Sequence, residues 1–367
     1  MEYHLFFDSN VGNLDRYGGA ERVLTVLNRQ YDFEKCYTLI NIMSDNDLAK
    51  VFQDKKVQII ESNLKFLKTN FRYLFFLFPY FMSKFENDKD NKLIISSSFS
   101  VAKGFKKKRG QIHICYYQAR NQRYIWDNEK LYFSSWQRAI LFPLLKLLRH
   151  IDINHSKRPD YIIANSHFVK NWIKKTYNIE SKVIYPPVDT NLFKLVKEKK
   201  DYYITTARLE PYKRVDLLVK AFNLSKETLY IVGDGSMKNR LKKMSNSNIK
   251  FFDFLQPSEV MKLVSKAKAF IHAGIEDFGI APVEAQSTGT PVIAYNMGGL
   301  SETVVDGKTG VFFNSQSVDA ILEALIRFKK IEFDHEAISM HADQFSEKNF
   351  ATNIRNYIDL KLKEKVS

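Results

Sequence analysis

Ala273-Gly274-Ile275-Glu276-Asp277-Phe278-Gly279-Ile280-Ala281-Pro282-Val283-Glu284 decides the reading of this chain. Two carboxylates, Glu276 and Glu284, stand eight positions apart around a glycine and a proline, directly after the apolar run 267–272. That run predicts a buried strand over 268–272. Ala281-Pro282 predicts the start of a helix, because proline is tolerated in a first helical turn, where its missing N–H would bond nothing. The loop between strand and helix then faces a ligand crevice: in open α/β sheets ligands sit outside the carboxyl ends of the strands, and free N–H groups at a helix start attract phosphate. Glu284, about one turn in, can reach neutral hydroxyls beside such a phosphate. A carboxylate is a poor phosphate ligand and a good acceptor for sugar hydroxyls, so the pair suggests a ligand both anionic and polyhydroxylated, such as a nucleotide sugar.

Working outward, Ser287-Thr288-Gly289-Thr290-Pro291-Val292-Ile293-Ala294 and Gly298-Gly299-Leu300-Ser301-Glu302 follow. Upstream lie Ala207-Arg208-Leu209-Glu210-Pro211-Tyr212-Lys213-Arg214-Val215-Asp216, Val232-Gly233-Asp234-Gly235 and, near the start, Gly18-Gly19-Ala20-Glu21-Arg22-Val23. With seven residues between its two glutamates, this set resembles glycosyltransferase family 4. The resemblance covers nearly the whole chain and is densest over 159–328. It implies an α/β protein of GT-B fold, two doubly wound Rossmann-like domains facing a central cleft, catalysing sugar transfer with retention and without metal. No cofactor is expected beyond the nucleoside diphosphate sugar itself, as donor substrate.

Composition agrees with such a protein. The 367 residues, 45 % hydrophobic, suit two to three domains with substantial cores. Cys36 and Cys115 are too few and too separated for a disulfide framework and read as buried thiols in a reducing compartment. Residues 1–10 lack the basic start and long apolar core of a signal peptide, so a cytoplasmic protein is expected. Net charge is +15, of which residues 1–185 carry +12 and residues 186–367 only +3. A basic surface suits nucleic acid, anionic membrane or acidic substrate alike, and the absence of a recognisable reading module argues against nucleic acid. Lys103 to Arg109, with Lys106-Lys107-Lys108-Arg109 contiguous, reads as a solvated loop.

Strands are predicted at 2–7, 92–97, 111–117, 161–164, 202–207, 228–232, 249–254, 269–272 and 291–294, and helices at 20–30, 214–224, 237–244, 258–264 and 281–287. Val183-Ile184-Tyr185-Pro186-Pro187-Val188-Asp189 marks a boundary, since paired prolines end a strand and stiffen the exit. The expected organisation is an acceptor-binding domain over 1–187, a nucleotide-sugar domain over 188–345 and a final helix in 346–367 that returns to the first domain. Phe71-Arg72-Tyr73-Leu74-Phe75-Phe76-Leu77-Phe78-Pro79-Tyr80-Phe81-Met82 is too short and too interrupted to span a bilayer. With Lys65, Lys68, Arg72 and Lys84 around it, and Trp136 to Leu148 interleaved with Arg138 and Lys146, it resembles a basic interfacial segment. Peripheral contact with the inner face of the cytoplasmic membrane is therefore expected, against the alternative of helices packed on the sheet.

Transfer from a nucleoside diphosphate needs cations and N–H groups already aimed at the leaving phosphates. Arg208, after a strand, and Lys213, before a helix, fall at the crevice end; guanidinium fork and compact ammonium are complementary on phosphate. The resemblance assigns this pair to the donor diphosphate, with Glu276 as third catalytic residue. It places Gly19, Gly233, Phe254, Phe278, Gly279, Ile280 and Glu284 around the donor, the stretch 278–280 through its main-chain N–H groups and Glu284 at the ribose. Gly18, Gln118, Arg123, Tyr124 and Asp127 fall to the acceptor or sugar pocket. Some mannosyltransferase-like members carry a histidine where Gln118 or Ala119 stands here, and Gln118 cannot become cationic. His113 lies one strand residue too early and is expected to pack. Asp45-Asn46-Asp47 and Asp88-Lys89-Asp90 place acids two apart, but in charged, loop-like sequence, where solvation explains them.

The expected activity is transfer of a hexose, GDP-mannose being the best single donor, to a lipid-linked or surface polysaccharide acceptor such as a polyprenyl diphosphate-linked glycan. UDP-hexose or UDP-uronic acid is the alternative donor. A hydrolase, phosphorylase or epimerase on the same architecture, and an inactive scaffold, are the competing classes.

Overall fold

A computed structural model describes residues 3–7, 18–41, 43–53, 55–87, 92–127, 129–191, 194–253 and 255–366. The chain divides into two compact units, one of residues 1–187 with 348–367 and one of residues 188–347.

The first unit is built on strands β1 (Tyr3–Phe7), β2 (Phe33–Thr38), β3 (Gln58–Glu61), β4 (Leu93–Ser98), β5 (Ile112–Tyr117), β6 (Tyr161–Ala164) and β7 (Lys182–Val183). The second has β8 (Lys200–Thr206), β9 (Leu229–Val232), β10 (Ile249–Phe252), β11 (Ala267–His272), β12 (Val292–Tyr295) and β13 (Gly310–Phe313). Their orders are β3-β2-β1-β4-β5-β6-β7 and β10-β9-β8-β11-β12-β13, with parallel pairing throughout the described strands. Each sheet grows outward from its first strand and then reverses, so each has a switch point, β1/β4 in one and β8/β11 in the other.

Parallel sheets are covered on both faces, and their strands read as continuous apolar runs with alternate residues committed to opposite cores. In the second unit Tyr203, Ile231, Ala269, Ile271 and Ile293 pack on one side with Leu218 and Phe222 of the helix Val215–Ser225. Tyr202, Ile204, Val232, Phe270, Val292 and Ala294 pack on the other. In the first unit Leu93, Ile95, Ile114 and Ile163 face the helix Gly19–Gln30, which contributes Val23, Leu24 and Leu27. The helix Glu347–Val366 joins them through Phe350, Ile354 and Ile358, one residue per turn on a single face.

Several edges differ from the sequence expectation. Strands β2, β3 and β13 were not marked by the apolar pattern; β2 reads Phe-Glu-Lys-Cys-Tyr-Thr and β3 Gln-Ile-Ile-Glu, with charges inside the strand. Asp45 and Asp47 are not loop residues. They open the helix Asp45–Phe52 beneath Ser44, whose hydroxyl accepts from the Asp47 N–H, and Asp47 is buried. Asp88 and Asp90 lie outside the described residues. The expected solvated stretch 103–109 is corrected over its first three residues: Lys103, Gly104 and Phe105 are buried, Lys103 ion-paired with Asp152, and Lys107 is half-buried against Asp160, whereas Lys106, Lys108 and Arg109 are exposed. His113 packs as expected, its Nε2 2.7 Å from Ser96 Oγ, and both cysteines are buried and free.

Asn63–Leu77 forms a 3-10 segment that runs into the helix Phe78–Ser83, where Pro79 occupies the first turn. Among the described residues no helix is long and apolar enough to cross a membrane.

Candidate donor site and the loops that build it

At the β8/β11 switch point of the second unit, the loops following the two strands meet. Arg208 leaves the end of β8, is exposed, and has no side-chain partner among the described residues. Lys213 closes the 3-10 turn Pro211–Lys213, and its ammonium lies over the Tyr212 ring at 5.3 Å. It forms an ion pair with Oε1 of Glu276.

His272, the last residue of β11, brings its Nε2 to 2.9 Å from the same Oε1, off the line of a well-formed hydrogen bond. Every partner of the Glu276 carboxylate is thus on Oε1, and Oε2 has none among the described residues. Burial works against ionisation of Glu276, but the Lys213 charge and then His272 outweigh it and hold the carboxyl well below the usual range.

The backbone around this pair is pinned from several sides. The Gly299 N–H donates to the Glu276 carbonyl at 2.8 Å, and Glu276 bridges Gly298 in parallel. Gln316 donates to the Ala273 carbonyl at 2.7 Å and accepts from Arg214 Nη1 at 3.3 Å, so one side chain joins the loop after β11 to the loop after β8. Arg214 itself sits at φ 53°, a left-handed conformation that costs a non-glycine residue on the order of 1 kcal/mol. Gly233, after β9, lies at φ 145°, and a Cβ there would stand 2.0 Å from the Ala207 carbonyl oxygen. Only glycine lets these two loops cross.

Gly279 caps the helix Ile280–Ser287, which begins one residue before Ala281-Pro282. Glu284 lies within it, half-buried. Phe278 turns its ring inward, 3 % exposed and edge-to-face with Phe345 at 5.5 Å, so only its main chain can serve a ligand. Phe254 lies outside the described residues.

The acceptor-side expectations fall in the first unit. The Gly18 N–H donates to the Glu21 carboxylate at 3.1 Å, and Gly19 opens the helix Gly19–Gln30. Gln118 is already engaged: its amide donates to Ser97 Oγ at 2.6 Å and to the Ala20 carbonyl at 3.3 Å, which brings it beside the start of that helix. Tyr124 packs edge-to-face on Phe75 at 5.3 Å and bonds Gln122, so it is partly spent on packing. Asp127 pairs with Arg120 at 3.2 Å; Arg123 is half-buried on the same loop.

The groups that hold this loop were not singled out from the sequence. Asp152, fully buried, accepts from Lys103 Nζ at 2.6 Å, Tyr177 OH at 2.6 Å, Trp126 Nε1 at 2.9 Å and the Gln122 amide. His272 and Gln316 were likewise missed. The signal for His272 was the spacing to Glu276 through Gly274; for Asp152 and Gln316 no local signal exists. Among the described residues, no three His, Cys, Asp or Glu side chains group closely enough to hold a metal ion.

Two Rossmann-like units of this topology are the parts of the GT-B fold of glycosyltransferases. Residues 188–347, which carry Arg208, Lys213, Glu276 and Glu284, match the family described as Glycosyl transferases group 1. Among curated proteins the chain is 29 % identical over 163 residues to the O-antigen chain mannosyltransferase RfbU of Salmonella typhimurium, a match covering 41 % of this chain. It spans just under half, 46 %, of that relative's length. Among solved structures, a sucrose-phosphate synthase from Thermosynechococcus elongatus aligns over 99 % of both chains with TM-score 0.73 and 14 % identity. Alr3699/HepE of Anabaena, in complex with UDP, aligns over 98 % of this chain and all of its own with TM-score 0.68 and 17 % identity.

Proposed function

We propose that this protein is a retaining glycosyltransferase that moves a hexose from a nucleoside diphosphate sugar to a lipid-linked or surface polysaccharide acceptor. The observation that carries the reading is the Glu276 carboxylate, fixed through Oε1 and free at Oε2, together with the unpartnered Arg208 guanidinium that follows β8, the strand paired with β11. A carboxylate held ionised with one open oxygen accepts from sugar hydroxyls. Arg208 and Lys213 supply the charge that the leaving diphosphate requires, with no metal assigned to that task. In the proposed step the bond from the anomeric carbon to the phosphate oxygen breaks and a bond to the acceptor oxygen forms on the same face. The acceptor's proton passes to the departing phosphate. Glu284 is assigned to the ribose, the main chain of 278–280 to the donor phosphate and sugar, and Gly18, Gln118, Arg123, Tyr124 and Asp127 to the acceptor side.

GDP-mannose is the donor proposed first, supported by similarity to a mannosyltransferase. A UDP-sugar is the second reading, favoured by the UDP complex of the Anabaena neighbour. A thermal-shift panel with GDP, UDP, ADP, dTDP and their sugar conjugates separates them, because a ligand that binds only the folded state raises its melting temperature. A selective rise with GDP and GDP-mannose is expected. A rise with UDP alone would replace the donor, and no rise with any nucleotide would overturn the transferase reading in favour of an inactive scaffold.

The acceptor half of the proposal places the first unit on the inner face of the cytoplasmic membrane. Trp136, Ile140 and Leu147 share one face of the helix Ser135–Ser156 and are 66 %, 69 % and 54 % exposed, while Leu145 and Leu148 on the opposite face are buried. Tyr73, Tyr80, Leu131 and Tyr132 are exposed in neighbouring segments, amid the unit's excess of lysine and arginine. An apolar face flanked by cations fits an anionic bilayer. Flotation with phosphatidylcholine vesicles containing phosphatidylglycerol should carry the wild type and leave Trp136→Glu/Leu147→Glu behind. Equal flotation of both proteins would remove this surface from the proposal.

A further inference from the structure

We infer that His272 is a positioning residue that holds Glu276 in place when Lys213 turns its charge to the donor diphosphate. The inference rests on the donor reading above and adds a division of labour to it. Lys213 has two claims upon it. In the structure its ion pair is with Glu276, while the diphosphate it is assigned to bind is a second anion competing for the same ammonium. If Lys213 were the sole anchor, donor binding would release Glu276 at the moment the sugar needs it.

His272 supplies the second anchor. It projects from the end of β11, its side chain is 4 % exposed, and a proton on Nε2 would be donated toward Oε1. A Cβ on Gly274 would stand 3.0 Å from the Lys213 Cα, 3.0 Å from the Tyr212 carbonyl and 3.1 Å from His272 Nε2, so a side chain there would press on both anchors of Glu276. The present off-line approach of Nε2 leaves room for the contact to straighten once Lys213 shifts; such bonds commonly tighten only in the liganded complex. Because Oε1 is where both anchors bind, Oε2 stays open to the sugar throughout.

The experiment measures nucleoside diphosphate affinity by calorimetry and turnover with the matching sugar donor, in wild type, Glu276→Gln, His272→Gln and His272→Leu. Glu276→Gln should bind the nucleoside diphosphate several-fold more tightly than wild type, because the neutral amide no longer competes for Lys213, while turning over far more slowly. His272→Leu should leave diphosphate affinity and the KM for donor near wild type and lower kcat by about tenfold or more, the scale set by misplacing a group that must be held in register. His272→Gln, which restores a donor, should recover part of that loss. Equal kcat in wild type and His272→Leu would overturn the anchor role. Diphosphate affinity in Glu276→Gln no better than wild type would overturn the sharing of Lys213. Wild type that binds no nucleoside diphosphate at all would overturn the donor reading itself and this inference with it. Matching melting temperatures among the variants guard the comparison against misfolding.

Discussion

The two units share a strand order and differ in what holds the loops beyond their strand ends. In the second unit the loops are fixed mainly by backbone, with Gln316 as a side-chain tie: Gly233 crosses the Ala207 carbonyl, and Gly299 bonds the Glu276 carbonyl. In the first, the loop after β5 hangs on side chains that converge on Asp152, with Lys103 as its buried counter-charge. Backbone fixing leaves side chains free for a ligand, whereas side-chain fixing consumes them. That is why Arg208 and one oxygen of Glu276 remain available in the second unit, while Gln118, Tyr124 and Asp127 of the first are already bonded.

The contrast breaks most sharply at Lys103. Removing one partner of a buried ion pair leaves an uncompensated charge, a loss of about 3–5 kcal/mol. Lys103→Ala should therefore raise hydrogen exchange across Ile112–Tyr117 and Tyr161–Ala164 while amides of Ala267–His272 keep their wild-type protection. Uniform protection across both sheets would mean that Asp152 is compensated by its neutral donors alone.

Gly233→Ala tests the other mode. With φ at 145° and a backbone oxygen 2.0 Å from the new Cβ, the loop must move, at a cost on the order of 3 kcal/mol. Exchange should rise in Leu229–Val232 and Lys200–Thr206, and the thermal response to nucleotide should fall with it. A substitution that melts like wild type would show that the crossing tolerates displacement.

Acid should separate the units more gently. Burial first, then the nearby Lys107, lowers the His113 pKa to about 3, and burial with Arg158, Lys103 and Lys106 does the same for His155, also to about 3. Unfolded, each would titrate near 6.5, so between these values the unfolded chain binds more protons. The stability each contributes is complete above about pH 6.5 and is lost as pH falls toward 3. From pH 7.5 to 5 the expected loss is about 2 kcal/mol per histidine, read as a fall in protection of β5. His113→Gln should flatten part of that slope; an unchanged slope would assign it to other groups.

The same difference governs how much the sequence revealed. Arg208, Lys213, Glu276 and Glu284 sit in short motifs because backbone turns are local, and their glycines and prolines mark them. The central strands β4, β5, β8 and β11 were legible as apolar runs buried on both faces. Strands β2, β3 and β13 escaped: charge within β2 and β3, and the glycine and shortness of β13, mask the pattern. Lys103 was read with its basic neighbours as solvated because its partner is 49 residues away, and nothing local distinguishes a lysine that faces an aspartate from one that faces water. His272 looked like one more strand residue, since its meaning depends on how a loop folds back toward it.

The helix Glu347–Val366 carries a consequence for how the molecule comes into being. Phe350, Ile354 and Ile358 complete the core that β4 and β5 began some 250 residues earlier. Chains are made from the amino end at a finite pace, and upstream domains usually close while the ribosome is still at work. Here the upstream unit must wait with an open apolar flank until the downstream one has been made. A premature stop near residue 346 would spare every residue of the proposed donor site and still strand the first unit unfinished, a prey for chaperones and proteases.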